Sequence, residues 1–86
     1  MTTLLTYHYR PQILEGLTGH GIRPKTTTPP QLVHEQVSDL YRFELRRIRG
    51  RYMRGKIQKQ DYSANVVELR KKYLLVSIPI RLWTQS

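Results

Sequence analysis

Residues 29–59, PPQLVHEQVSDLYRFELRRIRGRYMRGKIQK, read as one long amphipathic helix with a dense basic run at its far end. At about 100° per residue from Val33, the residues Val33, Val37, Leu40, Tyr41, Leu45, Ile48 and Tyr52 fall within one arc of about 140°, the width that a half-buried helix turns toward a core. Arg42, Arg46 and Arg49 fall on the opposite side, at spacings that place them within roughly 10 Å of one another along the axis. They are expected to form a solvent-facing stripe. Thr28 is positioned to cap the free amides at the helix start, and Pro29 and Pro30 suit the first turn, where a missing N–H costs little. Gly50 weakens the run by about 1 kcal/mol relative to Ala and allows a bend, whereas Gly55 is the expected stop. The helix is therefore placed at residues 30–54.

Working outward toward the N-terminus, Arg23-Pro24-Lys25 and the threonines 26–28 form a stiff polar connector that prolines keep out of helix. Before it, Pro11 suits a first turn, and Ile13, Leu14 and Leu17 share a helical stripe that ends at His20-Gly21. Gly21 stands where a left-handed terminating residue is needed, with Ile22 able to pack back on Leu17, so a short helix is expected over 11–20. Residues 1–9, with Leu4, Leu5, Tyr7 and Tyr9 among threonines, read as an extended arm that either docks or stays loose.

Toward the C-terminus, Tyr62, Val66, Leu69 and Tyr73 recur at helical spacing, with Asp61 near the start and Arg70, Lys71 and Lys72 at the end to complement the helix dipole. Glu68 can reach Lys71 or Lys72. A third helix is expected over 59–73. The stretch LLVSIPIRLWTQS is rich in β-branched and aromatic residues and contains Pro79, so an extended tail over 74–86 is expected. In it Val76, Ile78, Ile80 and Leu82 alternate with Ser77, Pro79, Arg81 and Trp83. One side could lie along the helices with Trp83 fixing the end, or the tail could seek a partner.

The turn residues Gly55-Lys56-Ile57 and Gln60-Asp61-Tyr62 follow a Gly-x-Ile-x-x-x-acid-aromatic pattern, and residues 55–73 resemble the SHOCT family of short helical hairpins. The resemblance implies that Ile57 and Tyr62 pack the hairpin shut. Gln58 stands where that family has Thr or Ser. The bland reading is that a short turn between two helices requires such residues anyway.

These elements describe a small all-α, three-helix domain over residues 1–86, with one long central helix, a helical core over 11–73 and an extended C-terminal tail. Its expected core is Ile13, Leu14, Leu17, Val33, Val37, Leu40, Tyr41, Leu45, Ile48, Tyr52, Ile57, Tyr62, Val66 and Leu69. A chain of 86 residues without cysteine has neither disulfides nor thiolate metal sites to support so small a core. No apolar run approaches the roughly 18 residues of a membrane span, and MTTLLTYHYR lacks the basic start and apolar middle of a secretory signal, so a soluble, cytoplasmic protein is expected.

Fifteen Lys and Arg against six Asp and Glu give a net charge of +9, which favours polyanionic partners, nucleic acid foremost. Between Arg42 and Lys59, six Arg and two Lys are opposed by Glu44 alone. The candidate polyanion-binding residues are Arg42, Arg46, Arg49, Arg54 and Lys56, because guanidinium groups hold phosphate oxygens through paired hydrogen bonds. The bland alternative is a solvated face with surface pairs such as Asp39 with Arg42 and Glu44 with Arg47. Phosphate contact is favoured over base reading, since no zinc finger, homeodomain, RNP motif or helix-turn-helix is present. Four such contacts on duplex DNA would give a logarithmic salt slope of about −3 to −4.

The rival expectation is a protein-interaction or oligomerisation module using Phe43, Ile78, Ile80, Leu82 and Trp83. Tyr41 and Tyr52 interleave with the arginines but lie in the apolar arc, so packing is the better reading for both; Phe43, off the arc near Leu32, is expected to cover a neighbouring element or form a sticky patch, the first being slightly favoured. Glu44 points into the arc, and a salt bridge to Arg47, Arg51 or a neighbouring helix fits it better than a functional buried acid. His8, His20 and His34 lack the spacing of a metal site, since position 38 is Ser rather than the second His of a zinc helix. The serines and acids show no catalytic spacing, and a non-enzymatic module without a cofactor is expected.

Overall fold

A computed structural model describes residues 5–85. Three helices, α1 (Pro11–Gly19), α2 (Pro30–Met53) and α3 (Lys59–Lys72), dominate it. After α3 come two single turns of 3-10 helix, Leu74–Ser77 and Ile80–Leu82. A short strand β1 (His8–Tyr9) pairs antiparallel with β2 (Thr84–Gln85), His8 opposite Gln85 and Tyr9 opposite Thr84. The expected all-α architecture, with its long central helix and a short extended C-terminal tail, is what the chain adopts.

Both helix ends marked by glycine have the same physical cause. At the end of α1, the Ile22 amide donates to the Leu17 carbonyl and the Gly21 amide to Thr18, both at 2.9 Å. At the end of α2, the Lys56 amide donates to Arg51 at 2.9 Å and the Gly55 amide to Tyr52 at 3.0 Å. This paired closure satisfies carbonyls that would otherwise lack partners and requires a left-handed residue. Gly21 and Gly55 supply it with φ of 75° and 72°. Gly50, by contrast, leaves the helix continuous.

The start of α2 corrects one expectation. Thr28 does not cap the helix; Pro29 occupies the capping position with no side-chain bond. The Thr28 hydroxyl instead accepts from the Lys25 amide at 3.0 Å, and its carbonyl accepts from the Tyr9 hydroxyl at 2.5 Å. A prolyl nitrogen at position 30 has no hydrogen to offer, so there is less at this end to cap. Thr28 therefore tightens the connector and ties it to the N-terminal arm. That arm is docked from Tyr7 onward, where the Tyr7 amide donates to Thr26 at 2.7 Å. Leu4 lies outside the described residues.

The core sits at one end of the molecule. It consists of Tyr9, Ile13 and Leu17 from the first segment, Val33 and Val37 from α2, Leu69 and Tyr73 from the end of α3, and Leu75 and Trp83 from the tail. Trp83 is fully buried, and its indole N–H donates to the Ile78 carbonyl at 3.1 Å. His34 reaches across from α2, its Nε2 3.1 Å from the Val76 carbonyl oxygen and its ring tilted on Trp83. The tail thus closes the core in cis.

Two residues expected in the core are on the surface, Leu14 at 39% exposure and Leu40 at 40%. Leu40 lies at the edge of the apolar arc. On α1 only the stripe of Ile13 and Leu17, four residues apart, is turned inward. Tyr41, Leu45, Ile48, Tyr52, Ile57, Tyr62 and Val66 are half-buried. The alternation expected in the tail gives way to its two turns, so Leu75 and Trp83 are buried while Leu82 is exposed.

From this core the lower halves of α2 and α3 run out side by side as an antiparallel hairpin. Pairing of Glu44 with Lys72 and of Tyr52 with Tyr62 fixes their register. The result is a rod of 58 × 22 × 19 Å with a Cα radius of gyration of 16.1 Å. Among the described residues, no helix is long and apolar enough to cross a membrane.

Candidate functional site

The free end of the hairpin gathers the basic residues. From Leu45 to Gln60 the chain contains no acid, while Arg46, Arg47, Arg49, Arg51, Arg54, Lys56 and Lys59 are all exposed. None of these seven takes part in a salt bridge among the described residues. Arg46, Arg47, Arg49 and Arg51 project from the last turns of α2, Arg54 and Lys56 from the connection, and Lys59 from the first turn of α3. The Arg54 guanidinium folds back over Gly50, where an added Cβ would lie 3.3 Å from its Nη1. Concentrating like charges on a narrow projection, where Asp61 in the first turn of α3 is the nearby acid, raises the local potential.

Of the five residues singled out in the sequence, Arg46, Arg49, Arg54 and Lys56 belong to this end. Arg42 lies one turn closer to the core and pairs with Asp39 at 2.9 Å, with both side chains more than half exposed. Such a pair is weak and leaves the guanidinium available. Sequence reasoning passed over Arg47 and Arg51 because Glu44 stood ready to pair with them. Of the expected partners the structure gives Glu44 the one on a neighbouring helix, the Lys72 ammonium of α3 at 3.1 Å. The acid-free run from 45 to 60 was the signal that could have found both.

Where the hairpin meets the core, the Tyr73 hydroxyl beside Glu44, together with Lys72 and Arg47, holds the Glu44 carboxyl below the usual range despite partial burial. Burial and then the neighbouring Glu44 carboxylate push Tyr73 up to about 12. The group is a structural clasp, since Tyr73 also stacks on His20 at 4.5 Å and meets Tyr41 at 5.6 Å. The unfolded chain would ionise Tyr73 near 10.0, while the folded chain keeps the proton to about 12. Its stabilisation is therefore fully present below the lower value and is lost as pH rises through the window, by about 2–3 kcal/mol. Phenolate absorbance should show a component titrating near 12 that disappears in Tyr73→Phe. Tyr9, raised first by burial and then by Tyr7, should persist in that variant. A titration curve unchanged but for amplitude would reject the assignment.

The aromatic residues at this end are engaged with each other. Tyr52 and Tyr62 stack with centroids 4.6 Å apart and planes 16° apart, closing the hairpin beside the half-buried Ile57. Phe43 covers no neighbouring element, contrary to expectation. It is 59% exposed, with the Arg47 guanidinium 6.0 Å over its ring. Comparison with protein-family models, curated proteins and solved structures finds no match.

Of the alternative partner-binding residues, Trp83 is fully buried and Ile78 packs against the core. Ile80 is half-buried, and only Phe43 and Leu82 are well exposed, on separate elements. No group of three potential metal ligands comes together among the described residues.

Proposed function

We propose that this protein is a small non-enzymatic binding module that engages nucleic acid, in the cytoplasm, through the basic end of its helical hairpin. The observation that supports this reading is the set of seven exposed cations, unpaired among the described residues, on an acid-free stretch. A solubilising surface needs charge of both signs dispersed over the molecule, whereas a single-sign cluster on a projection generates a directed field. Binding by such a cluster is driven by counterion release and is insensitive to base sequence.

The test is fluorescence anisotropy with a labelled DNA duplex at a series of salt concentrations. The logarithm of the association constant should fall linearly with the logarithm of salt, with a slope of about −3 or steeper. Two duplexes of unrelated sequence should bind alike. Affinity independent of salt, or no binding at low ionic strength, would reject the reading.

A further inference from the structure

The arrangement of the cations around the hairpin narrows the kind of polyanion it fits. Leu45, Ile48 and Tyr52 point from α2 toward α3, at about 60–120° on the helix, counting about 100° per residue from Val33. On the same scale Arg46 and Arg49 lie at about 160–220°, on one flank of the two-helix layer. Arg47 and Arg51 lie at about 320–360°, on the other flank, and Arg54 at about 300° lies toward the outer edge. The charge therefore wraps a layer one helix thick, on both of its faces, instead of forming the single stripe that Arg42, Arg46 and Arg49 suggest.

A flat anionic surface can meet only one of these flanks. Two rows of phosphates facing each other across a gap can meet both, provided the gap admits one helix. An α-helix with its side chains is about 10–12 Å across, and the major groove of B-form DNA is about 12 Å wide with a phosphate row along each edge. Single strands are ordinarily held on open aromatic platforms. Here Tyr52 and Tyr62 are stacked on each other and half-buried, and the exposed Phe43 lies under the Arg47 guanidinium, which leaves phosphates as the natural target.

Building on the polyanion reading above, we propose that the hairpin end enters the major groove of duplex DNA, with Arg46 and Arg49 on one phosphate row and Arg47 and Arg51 on the opposite row. Arg54, Lys56 and Lys59 reach phosphates at the leading edge. The contacts carry no base specificity, and binding depends on the spacing of the two backbones.

The experiment measures salt slopes for the parent protein, for Arg46→Gln with Arg49→Gln, and for Arg47→Gln with Arg51→Gln, on a DNA duplex and on a single strand of equal length. Circular dichroism checks that each variant keeps its helices. Seven contacts predict a parental slope on duplex of about −6, and each pair of substitutions should make it shallower by about 2. The single strand should bind at least tenfold more weakly. A slope that responds to one pair only means one-sided contact and overturns the groove, as does equal affinity for the single strand. Salt-insensitive or absent binding by the parent removes the polyanion reading itself, so the two failures are distinct.

Discussion

Trp83→Ala should destabilise the fold by about 3–5 kcal/mol, the usual consequence of emptying a buried aromatic site. Trp83 is the only tryptophan and is completely enclosed, with His34 against its ring and its N–H bonded to the Ile78 carbonyl. Its backbone carbonyl also receives the Arg10 amide at 2.9 Å, which joins the tail to the N-terminal segment beside the β1–β2 pair. A chain of 86 residues ordinarily retains about 4–13 kcal/mol in total. The variant should therefore be partly unfolded at room temperature or lose most of its resistance to urea. Helical circular dichroism across a urea series measures this directly. A midpoint matching that of the parent would mean that the tail does not hold the core closed.

Reversing charge at the opposite end should have the complementary result. Arg46→Glu with Arg49→Glu and Arg54→Glu is expected to weaken duplex binding by at least about 100-fold at low salt, since three phosphate contacts are lost and three repulsions introduced. Stability should change by less than about 1 kcal/mol, because all three side chains are exposed and make no salt bridge among the described residues. Anisotropy and urea denaturation on the same preparation separate the two effects. Retained affinity would exclude the hairpin end as the binding surface.

The helices were legible because their punctuation is local. Gly21 and Gly55 end α1 and α2 by a backbone conformation that few other residues tolerate, and the prolines at 11 and 30 stand at the starts, so the expected limits fall within a residue of those observed. What was not legible depends on long-range contact. Leu75 enters the core because the tail folds back across α1 and α2, and no periodicity in residues 74–86 specifies that path. Leu40 belongs to a sound apolar arc yet is exposed, since an arc states which side a helix can bury and not how far its neighbours reach. The candidate site shows the same division. Arg46, Arg49, Arg54 and Lys56 follow from charge and spacing alone, whereas Arg47 and Arg51 lie off the outward stripe and are marked in the sequence only by the acid-free run around them.

The elongated outline carries a hydrodynamic consequence. A compact chain of this length would have a radius of gyration of about 12 Å, against the 16.1 Å found here. A tumbling rod sweeps out more solvent than a sphere of equal mass, so a monomer will elute from a sizing column as if it were a heavier globule. Retention time alone therefore mixes drag with mass, and stoichiometry on DNA must be taken from scattering or sedimentation equilibrium, which weigh particles independently of their shape.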